Sequence, residues 1–137
     1  MAGLVAGKAL LGMDMRIHSV TAMEVDEKYV SRAMSLANGA LELIGAEQTV
    51  AEDDFLVDQN HYGPGYECPS EEATEAIKLL ARKEGILVDP VYSGKAFAGL
   101  LSDVRSGAIP AGSSVLFLHT GGSTVFFAEK KIIGNLV

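Results

Sequence analysis

Glu84-Gly85-Ile86-Leu87-Val88-Asp89-Pro90-Val91-Tyr92-Ser93-Gly94-Lys95-Ala96 holds the end of one helix, a short apolar element and the start of another helix. Upstream, Ser70-Glu71-Glu72-Ala73 suits a helix start, because Ser70 caps well and acids favour the positive end of the helix dipole. Ala76, Ile77, Leu80 and Ala81 share one face of that helix, which stops near Gly85. Ile86-Leu87-Val88 is a short buried element, ended by Asp89-Pro90. Lys95 to Val104 predicts a second helix with Phe97, Leu100, Leu101 and Val104 inward.

The same alternation continues in both directions. Ser114 to Leu118 is an almost fully apolar β run, the pattern of an interior parallel strand. His119-Thr120-Gly121-Gly122 follows it, and a short helix takes the end. Towards the N-terminus, residues 2–12 predict a helix stopped by Gly12. It has hardly any polar face beyond Lys8, so it expects burial on nearly every side. Met13 to Ala22 reads as a strand carrying Met15, Ile17 and Val20. Asp26 opens a long helix whose Val30, Ala33, Met34, Ala37, Leu41 and Ile44 recur at helical spacing, and Gly45 closes it. The acids 52–54 read as a solvated loop before a short strand, Phe55-Leu56-Val57. Tyr62-Gly63-Pro64-Gly65-Tyr66 is a turn-rich loop. Strands alternating with helices predict the α/β class, with a largely parallel sheet flanked by helices. Ligands of such sheets sit at the carboxyl ends of strands, which points to the loop after Leu118.

The chain has 137 residues, 48% hydrophobic and 21% charged, an ordinary globular composition that suits one domain. Eighteen acids against eleven bases give a net charge of −7, which argues against nucleic acid as a partner. The single cysteine, Cys68, excludes an intramolecular disulfide and fits a reducing compartment. No apolar run reaches the ~18 residues a membrane span needs. Lys8 lies inside the apolar start rather than before it, unlike a secretory signal. A cytoplasmic protein is expected. The chain also opens in mid-pattern, on a helix with no capping residue and no strand before it, as if an upstream portion existed.

Several residues could carry chemistry. Glycines in His119-Thr120-Gly121-Gly122 let backbone approach a ligand, and the following helix offers free N–H groups; a plain tight turn explains them equally. Tyr92 and Ser93 stand at a strand-to-helix turn, where a phenol of lowered pKa could serve as acid or base. An amphipathic tyrosine at the core edge is the competing reading, and Tyr66 carries the same two. Lys95 is a Schiff-base lysine only if desolvated, and is otherwise structural or solvated. His18, His61 and His119 lie far apart, so no metal site is expected. Cys68 reads as a packed or incidental thiol.

Glu84 to Ala96 resembles the signature of the D-cysteine desulfhydrase and 1-aminocyclopropane-1-carboxylate (ACC) deaminase family, pyridoxal 5′-phosphate (PLP) enzymes of the tryptophan synthase β-like fold. Gly65-Tyr66-Glu67-Cys68-Pro69 is similar to that family's Gly-Tyr-Gly-x-Pro loop. Phe117-Leu118-His119-Thr120-Gly121-Gly122 resembles its C-terminal His-Thr-Gly-Gly, and Ala2 to Gly7 the helix after its phosphate loop. The resemblance implies that residues 1–137 form the C-terminal part of such an enzyme. The Schiff-base lysine and most phosphate ligands would then lie in an absent N-terminal part, and Lys95 would not be the PLP lysine. Tyr92 and Tyr66 would be the catalytic tyrosines on the substrate side. Thr120 would bond the pyridine nitrogen, with Ser93 nearby, and Gly121, Ala2 and Gly3 would line the cofactor. The complete enzyme would be a homodimer acting on a small amino acid. Ser93 stands where ACC deaminases carry glutamate; with Thr120, it favours the desulfhydrase branch, which converts D-cysteine and water to pyruvate, ammonia and sulfide. A non-catalytic α/β binding module is the alternative of another class. One departure stands out: Glu67 replaces the family glycine, and a positive φ there would strain the loop by roughly 1 kcal/mol or more.

Overall fold

A computed structural model describes residues 1–126. In chain order the elements are α1 (Ala2–Leu11), β1 (His18–Val20), α2 (Tyr29–Leu43), a 3-10 turn (Glu52–Asp54), β2 (Leu56–Asp58), α3 (Glu71–Glu84), α4 (Ser93–Ser106) and α5 (Ser123–Phe126). β1 and β2 pair in a small parallel sheet, with α2 in the connection between them. The class is α/β, as the alternation predicts. The remainder of the expected terminal helix lies outside the described residues.

The chain divides into two units: Met1–Ser19 with Val25–Asp58, and Val20–Glu24 with the residues from Gln59 onward. In the first, α1 packs on α2. Val5 and Ala6 of α1 meet Ala33, Ala37 and Leu41 of α2, and Val50 and Phe55 close the cluster. The small residues at helical spacing allow close approach of the two helices. Asn38 pins the following turn: its Nδ2 donates to the Val50 carbonyl at 3.0 Å, and its Oδ1 accepts the Val50 N–H at 2.9 Å. α1 leaves Leu4, Leu10 and Leu11 exposed, the apolar surface that its nearly all-apolar sequence sets aside for further cover. Ile44, expected on the inner face of α2, is exposed too.

The second unit is built on α3 against α4. Ser70 caps α3 by accepting the Ala73 N–H at 3.1 Å, and Gly85 ends it. Ile77, Leu80 and Val88 form the core, with Leu87, Phe97 and Phe117 packed on it. α4 turns a face of small residues inward, including Gly94, Ala98 and Gly99, and leaves Val104 exposed against expectation. Gly94 is required there: a Cβ on it would lie 2.5 Å from the Asp89 carbonyl oxygen.

Two strand expectations need correction. Ser114–Leu118 belongs to no strand, and Leu116 is 82% exposed. Only Phe117 of this run turns in, meeting Phe97 edge-on at 5.3 Å between ring centres. An apolar run becomes a strand only where a neighbour accepts its ladder hydrogen bonds, and no described segment pairs with it. The short element Ile86–Val88 lies in no helix or strand and is buried only in part, with Val88 inside and Ile86 exposed. The expected strand 13–22 contracts to β1 for the same reason.

Candidate active site

The start of α4 is organised by one side chain. Asp89 is buried, and its Oδ2 accepts the N–H groups of Val91 at 2.8 Å and Tyr92 at 2.7 Å. Its Oδ1 accepts the Ser93 N–H at 2.9 Å and the Ser93 hydroxyl. The Gly94 N–H donates to the Asp89 backbone carbonyl at 2.7 Å. One residue thus satisfies the donors that a helix start leaves open, with a negative charge at the positive end of the dipole. Burial pushes the Asp89 carboxyl up, but the bonds from Ser93, Tyr92 and Val91 together hold it below the usual carboxylate range.

This cap presents Tyr92 at the head of the helix. Tyr92 is 48% exposed, and its phenol hydrogen-bonds the phenol of Tyr66, itself 45% exposed. The rings meet edge to face, 5.9 Å between centres at 62°. The two tyrosines, far apart in sequence, form one exposed pair. The bond to Tyr92 raises the Tyr66 pKa, helped by burial and by the charges of Tyr92 and Glu67. A phenol of lowered pKa is therefore not what Tyr66 offers. A raised pKa keeps the phenol protonated, a form that can donate a hydrogen bond.

Tyr66 sits in a tight turn closed by the Cys68 N–H donating to the Gly65 carbonyl at 3.3 Å. Glu67 occupies the third place of that turn with φ at 58°. A positive φ at this place favours Gly or Asn. The strain expected of Glu67 is therefore present. The same Gly65 carbonyl accepts the Lys95 ammonium at 2.8 Å. Lys95 is buried, so it is not the solvated lysine that one reading expected, and its ammonium is taken up by backbone carbonyls.

The His119–Gly122 loop reaches Asp89 from another side. Nε2 of His119 donates to the Leu87 carbonyl at 2.9 Å, and Nδ1 accepts the Gly121 N–H at 3.1 Å. A neutral imidazole protonated on Nε2 satisfies both bonds. Gly122 has φ at 87°, and a Cβ on it would lie 2.8 Å from Asp89 Oδ1. Only glycine allows this approach. Thr120 is exposed beside it, and a Cβ on Gly121 would meet nothing within 4 Å.

Asp89 therefore touches both the Tyr92 turn and the Thr120 loop. Ser93 turns its hydroxyl to Asp89, as a residue in the first turn beside a capping carboxylate will. Ala2 and Gly3 open α1 in the other unit. Sequence reasoning missed Asp89 as the organiser. The available signal was an aspartate just ahead of a helix start, since Asp side chains bind backbone N–H groups two residues on.

The sequence profile of the family described as pyridoxal-phosphate dependent enzyme matches residues 1–121. A probable 1-aminocyclopropane-1-carboxylate deaminase of Schizosaccharomyces pombe is 38% identical over 134 residues, covering 98% of this chain and 40% of its own length. The 1-aminocyclopropane-1-carboxylate deaminase of Variovorax paradoxus strain S110 is 39% identical with the same coverage. A solved structure of an ACC deaminase homologue superposes with a TM-score of 0.83 at 33% identity, over 99% of this chain and 40% of that one. The chain spans about 40% of the length of these curated relatives.

Proposed function

We propose that this chain, which belongs to the pyridoxal-phosphate dependent enzyme family, forms the substrate-side wall of a lyase that deaminates a small amino acid, with D-cysteine as substrate. The observation that carries the reading is the exposed Tyr66–Tyr92 pair held by the Asp89-capped start of α4. PLP, when bound, supplies an electron sink for the charge left by α-proton loss. The residues present suit its ring side: Thr120 offers an exposed hydroxyl, and Gly121 leaves open space beside it. In this reading the Thr120 hydroxyl would hydrogen-bond the ring nitrogen without protonating it. Tyr66, which keeps its proton, donates to the departing thiol. Tyr92 orients Tyr66 and shares its hydrogen bond.

The choice of D-cysteine rests on residue 93. Its hydroxyl is committed to Asp89 in a buried position. A glutamate there would set a second carboxylate against the first, at a cost in Coulomb repulsion and desolvation. A second reading, ACC as substrate, is favoured by the names of the relatives. Both readings place this chain with an N-terminal portion that carries the cofactor lysine, in a homodimer. The lone Cys68 supports a cytoplasmic setting.

The test is turnover of the PLP-loaded full-length enzyme on both substrates. Sulfide release from D-cysteine is expected to outpace formation of 2-oxobutyrate from ACC, and the reverse order would select the second reading. Tyr66→Phe is expected to keep PLP and lower kcat by roughly 10²–10⁴-fold, the usual contribution of a positioned acid or base, with a smaller loss for Tyr92→Phe, which removes only its orienting partner. Unchanged turnover would reduce the pair to packing.

A further inference from the structure

Lys95 heads the fully buried side chains by size, at 0% exposed, and the chemistry above does not use it. It stands in the first turn of α4, three residues after Tyr92. Its ammonium donates to the Gly65 carbonyl at 2.8 Å and to the Ala22 carbonyl at 3.3 Å. The Gly65 carbonyl is the one that closes the turn bearing Tyr66. One end of Lys95 is therefore fixed to the helix start that presents one phenol. Its other end grips the backbone that presents the second. Burial depresses the Lys95 pKa, and the charges of Cys68 and Asp89 work against that shift. A buried ammonium that loses its acceptors is left unpaired at high cost, so the loop is not free to leave.

We propose that Lys95 is the positioning residue of the Tyr66–Tyr92 pair: its ammonium clamps the Gly65 carbonyl and so holds the two phenols in contact. Its consequence for turnover rests on the reading of the pair given above. The clamp itself is measured without substrate or cofactor.

The experiment follows tyrosinate absorbance against pH in the full-length protein without cofactor, as the difference between each protein and its Tyr66→Phe counterpart, which isolates the titration of the pair. Lys95→Met keeps side-chain length and removes all donors. Lys95→Gln keeps an N–H donor on a shorter stem. The parent is expected to show one titration above the ordinary tyrosine range. In the Met variant that titration is expected to fall back towards the ordinary range, and in the Gln variant to fall less. Burial depresses the Lys95 pKa, so at the pH where Tyr66 titrates the lysine nitrogen is increasingly the neutral amine, which still donates to the Gly65 carbonyl. Loss of any remaining positive charge would push a phenol upward, so a fall reports separation of the pair. An unchanged or rising upper titration in Lys95→Met would overturn the proposal. Loss of cooperative folding in both variants would also overturn it, by making Lys95 a residue of the core rather than of the loop. In the PLP-loaded full-length enzyme, Lys95→Met is expected to lower kcat at least tenfold with KM little changed, and Lys95→Gln to recover part of it. If the titration responds as expected while the parent enzyme turns over neither D-cysteine nor ACC, the clamp stands and the catalytic reading of the pair falls.

Discussion

Replacing Glu67 by glycine tests the strain at the tyrosine turn. Glu67 is the one non-glycine residue with positive φ among the described residues, at 58°. An L-residue in the left-handed region costs roughly 1–2 kcal/mol. Glycine escapes that cost but loses about 0.5–1 kcal/mol more chain entropy on folding. Glu67→Gly is therefore expected to stabilise the protein by about 0.5–1 kcal/mol. With a urea slope of about 1–3 kcal/mol/M, the midpoint should rise by roughly 0.2–1 M. Glu67→Ala separates backbone from charge: it removes the carboxylate but keeps the Cβ, and should leave the midpoint near that of the parent. Glu67→Asn should fall between, since Asn tolerates this conformation. The electrostatic consequence has its own sign. The Glu67 carboxylate disfavours the Tyr66 phenolate, so both the Gly and Ala variants should titrate Tyr66 at lower pH. Tyr66 should still lie above the ordinary range, because the bond to Tyr92 is the larger cause. A Gly variant no more stable than the parent, or an Ala variant equally stabilised, would refute the strain argument.

Two further outcomes follow from Asp89. Its folded pKa is depressed, so the stability it contributes is complete above the ordinary carboxylate value near 3.8 and disappears as pH falls through the lower folded value. Asp89→Asn should cost about 1–3 kcal/mol at neutral pH, because its amide turns N–H against N–H donors, and should flatten the acid limb of a stability–pH curve; an unaltered limb would contradict this. Gly122→Ala adds a Cβ that would lie 2.8 Å from Asp89 Oδ1, at φ 87°. It should destabilise by at least about 1 kcal/mol in a thermal melt, while Gly121→Ala, with space around it, should pay only for its own backbone strain.

Much of this protein was legible in the residues alone. Ser70, Gly12 and Gly85 mark helix ends because capping is local chemistry between neighbours in sequence. The faces of α2 and α3 follow from helical spacing, and the strain at Glu67 was an expectation of the family glycine it replaces. The resemblance carried by residues 84–96 agrees with the matched family. Tertiary structure decided the rest. Whether Ser114–Leu118 is a strand depends on a hydrogen-bonding neighbour, which no pattern within the run contains. That Tyr66 and Tyr92 share a hydrogen bond, and that this raises rather than lowers a phenol pKa, depends on two loops meeting. Asp89 and Lys95 acquire their roles the same way. An aspartate becomes the organiser only when helix start and glycine loop converge on it, and a lysine becomes a clamp only when burial brings its ammonium to two backbone carbonyls.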